Sequence, residues 1–231
     1  MQGSDRTKLL IGEGGLETLA SKSILLVGVG GVGGMTAETL IRAGIENLTI
    51  VDYDVVDKTN LNRQIIALHS TIGKPKVEVL KNRLLDINPK AKITAINSKF
   101  CQKMSEELFS NNFDYVIDAI DDVVNKLLLI KTAHGKNIPI ISALGSGNRI
   151  EIPCFEVVDV NKTENDGLAK KIRLGLRELG IKKHTVVYTK QKRILTQSNT
   201  IGSISYFPTV CGCVISGYVI NKLLEEKWRT K

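Results

Sequence analysis

Three groups of residues have types and spacings that could do chemistry. The first is the glycine run Gly28-Val29-Gly30-Gly31-Val32-Gly33, directly after the apolar segment Ile24-Leu25-Leu26-Val27. Gly28, Gly30 and Gly33 fit the G-x-G-x-x-G pattern. Glycines so spaced let the backbone turn sharply and approach a phosphate, while the helix that follows offers unpaired N–H groups and the positive end of its dipole. Asp52 ends the next apolar segment and is placed to accept hydrogen bonds from a ribose. The second group is polar and lies just beyond it: Asp54, Asn60, Asn62, Arg63 and Gln64, then Lys74 and Lys76 around Pro75. The third is the pair of carboxylates Asp118 and Asp121.

A nicotinamide site is the default reading of the glycines and Asp52, and the other two groups argue against it. A dinucleotide fold has no need of Asn60, Asn62 and Arg63 after the ribose carboxylate. Lys74 and Lys76 stand at a helix start, where the dipole opposes cations, so an anion such as a triphosphate is expected nearby. Carboxylates at the carboxyl end of a strand, beside a phosphate site, point to magnesium.

These residues need a scaffold, and the hydrophobic pattern supplies one. Strands are expected at 24–29, 48–51, 93–96, 115–117 and 138–142. Helices are expected at 32–43, ended by Gly44, at 73–87, and at 126–135. Alternation of this kind implies an α/β fold: a Rossmann-like, mostly parallel sheet flanked by helices. The second half reads as less regular, with strand character at 150–158 and 186–188, an amphipathic helix at 168–179, a polar loop at 195–207 and a final helix at 210–224. Without repeats or a linker, one domain over 1–231 is expected, with a nucleotide-binding core at 5–150 and a substrate-binding part at 151–231.

The chain carries a formal charge of +8. The stretch 168–193 holds nine basic residues against Glu178, so the whole excess resides there. Such a concentration is an electrostatic footprint for a polyanion. The N-terminus shows no basic segment followed by an apolar run, and the apolar region 210–220 is shorter than the ~20 residues a membrane span needs. A soluble, cytoplasmic protein with no membrane association is expected. The four cysteines, Cys101, Cys154, Cys211 and Cys213, form no C-x-x-C pair, which disfavours a four-cysteine zinc site.

In order along the chain, Gly28-Val29-Gly30-Gly31-Val32-Gly33, Asp52-Tyr53-Asp54, Thr59-Asn60-Leu61-Asn62-Arg63-Gln64, Gly73-Lys74-Pro75-Lys76 and Asp118-Ala119-Ile120-Asp121 resemble the ThiF/MoeB/HesA superfamily of adenylating enzymes related to ubiquitin activation. The resemblance implies ATP and Mg2+ as cofactors. It implies that Gly28, Gly30, Gly31 and Gly33 face the phosphates, Asp52 holds the ribose with Asp54 and Gln64 nearby, and Asn60, Arg63 and Lys76 grip the triphosphate. Asp121 would bind the metal. Arg6 resembles an arginine that reaches across a homodimer into the partner's site. Arg63, Lys76, Asp121 and Arg6 are then the catalytic set: they offset the repulsion between an attacking carboxylate and an α-phosphate.

The carboxylate is suggested by the second half. Asn161-Lys162-Thr163, Asp166-Gly167-Leu168-Ala169-Lys170, Val186-Val187-Tyr188-Thr189 and Gly202-Ser203-Ile204-Ser205-Tyr206-Phe207-Pro208 resemble the tRNA threonylcarbamoyladenosine dehydratases, although Gly167 stands where that group has proline. The implied reaction is ATP-dependent cyclisation of the threonylcarbamoyl group beside the anticodon. Lys170, Lys171, Arg173, Arg177, Lys182 and Lys183 would bind the tRNA through its phosphates. Ring closure within one modification needs no enzyme nucleophile, in keeping with a chain that shows no nucleophile–base pair. Adenylation of the C-terminus of a sulfur-carrier protein is the alternative, and a non-catalytic adaptor the third reading. The resemblance leaves a monovalent cation and a cysteine-desulfurase partner open. Cys211 and Cys213 read either as sulfur-accepting or as small apolar residues of a helix, with the latter favoured.

Overall fold

A computed structural model describes residues 5–195 and 200–224. Seven strands, β1 (Ser23–Val27), β2 (Asn47–Asp52), β3 (Lys92–Asn97), β4 (Tyr115–Asp118), β5 (Ile140–Ala143), β6 (Glu156–Asp159) and β7 (Thr185–Tyr188), make one sheet in the order β3-β2-β1-β4-β5-β7-β6. All neighbours pair in parallel except β6 with β7. The helices are α1 (Asp5–Ser21), α2 (Gly31–Ala43), α3 (Lys76–Ile87), α4 (Gln102–Leu108), α5 (Val123–Gly135), α6 (Gly167–Glu178) and α7 (Tyr206–Leu224).

The near-continuous apolar run of β1 follows from its central place in the sheet: Ile24, Leu25 and Leu26 are completely buried, and successive side chains enter opposite layers. Ile24 and Leu26 join a core with Leu19 of α1, Leu40 of α2, Leu80 of α3 and Ile215 of α7. Leu25 and Val27 join a second core with Leu108 of α4, Leu129 of α5 and Ile172 of α6. The sheet is therefore sandwiched between two helical layers.

The expected elements of the first half appear with shifts of a few residues. α5 begins earlier than its hydrophobic pattern suggests because Asp122 caps it, accepting from Asn125 N at 2.8 Å. Two helices have no counterpart in the hydrophobic pattern. α1 is bent at Gly12 (φ 72°) and carries Gly12, Gly14 and Gly15, which mask a helical pattern. α4 is only seven residues long. The second half is more regular than its sequence suggests, since β6 and β7 extend the same sheet. Strand character at 150–158 reduces to β6, antiparallel at the edge. Within the stretch 195–207, residues 196–199 lie outside the described residues.

α7 is longer than expected, and by length and composition alone it could cross a membrane. Here it packs on α2: a Cβ on Gly212 would lie 2.5 Å from Val32 O, so only glycine permits the approach. Cys211, Ile215 and Val219 are completely buried on that helix.

Candidate active site

The glycine loop leaves β1 where the topology turns. β2 and β3 lie to one side, and β4, β5, β7 and β6 to the other, so the carboxyl end of β1 opens into a crevice where such sheets bind ligands. Gly28 has φ 92°, and a Cβ there would come within 2.5 Å of Ala119 O. A Cβ on Gly33 would overlap the carbonyl oxygen of Gly28. Asp52 fastens the loop to the end of β2. Val29 N donates to Oδ2 at 2.7 Å and Asp54 N to Oδ1 at 2.9 Å. Each carboxylate oxygen keeps a further acceptor site for a ligand hydroxyl.

Lys76 is set by a backbone zipper. Its N–H donates to Asp54 O at 2.9 Å, and Val56 N donates to Lys74 O at 2.9 Å. Its ammonium sits against the dipole at the first residue of α3, only 5% exposed, and pairs with Asp54 Oδ2 at 2.6 Å. An unpaired ammonium there would be costly, and Asp54 is what holds it at the cavity wall. Asn60 is buried and accepts from Asp57 N at 3.0 Å, which organises the polar turn. Arg63 lies over the glycine loop, its Nη1 donating to Thr59 O and Asn62 Oδ1, each at 2.9 Å. The Oε1 of Gln64 is buried beside them without a hydrogen-bond partner.

The two carboxylates after β4 part ways. Asp118 is completely buried. Its Oδ2 pairs with Lys126 Nζ at 2.7 Å, Oδ1 accepts from Ile120 N at 3.0 Å, and Lys126 also donates to Ala143 O at 3.0 Å. This corrects the reading of both aspartates as metal ligands: Asp118 is occupied by the core. Asp121 is exposed and lines the cavity. Magnesium needs only one or two protein carboxylates when phosphates and water complete its shell, and Asp121 beside the glycine loop fits that demand. Among the described residues no group of three or more His, Cys, Asp or Glu could hold a metal by itself.

A single cavity of about 730 Å³ takes in Gly28, Gly30, Gly31, Gly33, Asp52, Asp54, Asn60, Arg63, Gln64, Lys76 and Asp121. Arg6 is not among its lining residues; it stands exposed on α1, near Leu9 (85% exposed) and Leu10 (82%).

The same cavity continues to Gly145, Gly147, Lys171 and Arg193. Of the basic segment, Lys170, Lys171, Arg177, Lys182 and Lys183 are exposed. Arg173 differs. Its guanidinium turns inward onto Val160 O (3.3 Å), Thr163 O (3.1 Å) and the Thr163 hydroxyl, so it braces a 3-10 turn. Sequence reasoning passed over Arg149 and gave Asp166 no role of its own, though both are buried at this end of the cavity; the fit of Asp166 as N-cap of α6 was the signal available. Asn148 (φ 56°) stitches the loop after β5 to later segments, donating to Gly202 O at 2.8 Å and accepting from Ile194 N at 2.7 Å.

Cys211 and Cys213 face opposite sides of α7, since residues two apart do not share a helix face. Burial pushes the Cys211 thiol up to about 12, so it carries no thiolate. The histidines His134 and His184 meet at the amino end of β5 and β7, Nε2 to Nδ1 at 3.4 Å, with Ser142 Oγ 2.8 Å from His184 Nε2.

The model of the ThiF family matches residues 5–230. The chain belongs to the ThiF family. Among members of this family it is 37% identical to the tRNA threonylcarbamoyladenosine dehydratase of Bacillus subtilis, over 96% of this chain and 94% of that protein. The crystal structure of Escherichia coli tRNA N6-threonylcarbamoyladenosine dehydratase, TcdA, in complex with AMP superposes with a TM-score of 0.91 at 33% identity, covering 97% of this chain and 95% of the other. The complex of that enzyme with ATP gives 0.90 at 32%, covering 98% and 95%. The molybdopterin-synthase adenylyltransferase of Escherichia coli is 34% identical over 64% of this chain and 51% of its own length.

Proposed function

We propose that this ThiF-family protein uses ATP to adenylate the free carboxylate of threonylcarbamoyladenosine in tRNA and lets the adenylate close into a ring. The observation that carries the reading is the continuity of the cavity. The glycine loop, Asp52 and Lys76 lie in the same wall as Lys171 of the basic helix, so a nucleotide and a polyanionic substrate meet in one place. Similarity along almost the whole chain to dehydratases of that name supports the substrate.

In this reading the ribose hydroxyls bind Asp52 and the phosphates lie on the N–H groups of the glycine loop. Arg63 and Lys76 offset the charge that gathers at the α-phosphorus as a substrate carboxylate oxygen attacks it. The new bond joins that oxygen to phosphorus; the bond to the β-phosphate bridging oxygen breaks, and pyrophosphate leaves with the electron pair. A nucleophilic atom of the same modification then attacks the acyl carbon, its proton passes to solvent, and AMP departs. The second step is intramolecular, so effective molarity replaces an enzyme nucleophile. Asp121 would hold Mg2+, which supplies further charge neutralisation on the phosphates. The buried thiol of Cys211 suits packing, so of this pair the exposed Cys213 is the one a cysteine-desulfurase partner would reach. A monovalent cation is left without assigned ligands. A tRNA substrate fits a cytoplasmic setting.

A second copy completes the site in this proposal. Arg6 lies outside the cavity of its own chain, on a helix whose exposed leucines, Leu9 and Leu10, suit a homodimer contact. In mixed dimers, Arg6→Ala on one subunit is expected to inactivate the neighbour's site.

The test of the reaction is pyrophosphate exchange into ATP, run with tRNA carrying the modification and with a sulfur-carrier protein, followed by mass spectrometry of gently isolated nucleosides. Exchange stimulated by the modified tRNA, with a product lighter by one water, is expected. Stimulation by the protein alone would refute the reading.

A further inference from the structure

The wall of the cavity can be followed along the carboxyl edge of the sheet. It runs from Asp52 on β2, through the glycine loop after β1 and Asp121 after β4, to Gly145 after β5 and Arg193 beyond β7. The nucleotide motifs occupy the first part of that path. The last part holds a charge cluster whose hydrogen bonding is incomplete.

Asp166 caps α6 through Oδ1, which accepts from Ala169 N at 2.9 Å. Its Oδ2 is buried without a hydrogen-bond partner, as is Nη2 of Arg149. These two atoms stand 3.7 Å apart, and Arg193 Nη2 stands 3.8 Å from the same Oδ2. Both separations exceed hydrogen-bonding distance. Arg149 is fixed by other bonds, Nε to Gln191 O at 3.0 Å and Nη1 to Gly145 O at 2.6 Å. Arg193 is not so confined: its side chain is 39% exposed and faces the cavity. Its Nη2 lies 2.5 Å from where a Cβ on Gly145 would stand, so glycine in this loop makes room for the guanidinium. Two guanidinium groups thus share one carboxylate loosely. One positive charge is left over in the wall, and Lys171 adds another.

We propose that Arg193 is the residue that receives the reactive carboxylate of the substrate, with Asp166 and Arg149 as positioning residues that aim it. The inference rests on the reading of the site given above. A planar guanidinium matches a carboxylate in a two-pronged contact. The phosphates of an RNA would instead meet the exposed Lys170, Arg177, Lys182 and Lys183 beyond the cavity lining. The contact is also self-releasing. Once the carboxylate is joined to the α-phosphate as a mixed anhydride, its own oxygens lose their charge and the remaining negative charge lies on the phosphate. The acyl end's attraction for Arg193 then falls, Asp166 regains the guanidinium, and the acyl group is free for ring closure.

The experiment compares the wild type with Arg193→Ala and Arg193→Lys, using modified tRNA as substrate and the free nucleoside N6-threonylcarbamoyladenosine as competitor. The nucleoside carries the carboxylate and no phosphate. Arg193→Ala is expected to raise KM for the tRNA and weaken inhibition by the nucleoside by a similar factor, roughly tenfold to a hundredfold for a charge-assisted contact. The KM for ATP and the thermal midpoint should stay unchanged, and Arg193→Lys should recover part of the loss. Weakened tRNA use with undiminished nucleoside inhibition would assign Arg193 to a backbone phosphate and overturn the proposal. Equal damage to ATP and tRNA binding, or no effect, would overturn it as well. A wild type that neither binds the nucleoside nor dehydrates the tRNA would sink the proposed function itself, and this inference with it.

Discussion

Lys126→Met isolates the buried pair that separates Asp118 from Asp121. The substitution removes an ammonium that donates to Asp118 Oδ2 at 2.7 Å and Ala143 O at 3.0 Å, with both side chains of the pair completely buried. What remains is a carboxylate in the interior whose other oxygen is satisfied only by Ile120 N. Breaking such a pair on one side costs about 3–5 kcal/mol. For a chain of this size that corresponds to a fall of roughly 6–20 °C in the midpoint of thermal unfolding. Asp118→Asn in the same chain takes the stranded charge away. The double variant should regain part of the loss, keeping a deficit of about 1–3 kcal/mol for an orphaned carbonyl and amide. Urea unfolding of wild type, both single variants and the double variant closes the cycle, with the midpoint shifting at constant slope. If the two single effects add to within about 0.5 kcal/mol, the side chains do not act as a charged pair, and the account of Asp118 as a structural carboxylate fails.

Asp121→Asn should act in the opposite manner, lowering ATP-dependent turnover about a hundredfold or more while the unfolding midpoint stays put; a stability loss with retained turnover would reverse the roles of the two aspartates. Burial first, then His134 and Lys126, lowers the pKa of His184 from 6.5 to about 3. Between those values the unfolded chain binds a proton that the folded chain refuses, so stability rises with pH there, and at pH 4.5 the group costs about 3 kcal/mol relative to neutral pH. Urea midpoints followed from pH 7 to 4.5 should fall less steeply for His184→Gln than for the wild type, and parallel profiles would contradict the assignment. Charge reversal at Lys170, Arg177 and Lys182 should weaken tRNA binding and flatten its salt slope by about 0.7 to 0.9 per lost phosphate contact. Arg173→Ala should lower stability and leave that slope alone, because Arg173 braces the turn at Val160 and Thr163.

Much of the first half was readable from the chain because its signals are local. The glycines after β1, the cap at Gly44 and the alternation of buried runs with amphipathic helices depend on neighbours within a few residues. α1 escaped because Gly12, Gly14 and Gly15 argue against a helix that tertiary packing of Leu19 nevertheless holds. The second half looked irregular because short strands such as β6 and β7 carry little pattern of their own and exist by long-range pairing, β7 with β5 and β6 with β7.

Which residues could meet a phosphate, a ribose and a polyanion is legible in the chain, since residue types and their spacing state that chemistry directly. Which of them remain available for it depends on how the chain folds. Asp118 and Asp121 are three positions apart and look alike on paper. Lys126, one helix on, reaches one and not the other. Arg173 and Lys171 lie on the same helix, yet one turns into the fold and the other into the cavity. Arg149, Asp166 and Arg193 are scattered along the chain and form a site only because the loop after β5, the start of α6 and the segment beyond β7 converge at one end of the sheet. Side-chain direction and long-range pairing make that choice, and neither is written in the spacing of residues along the chain.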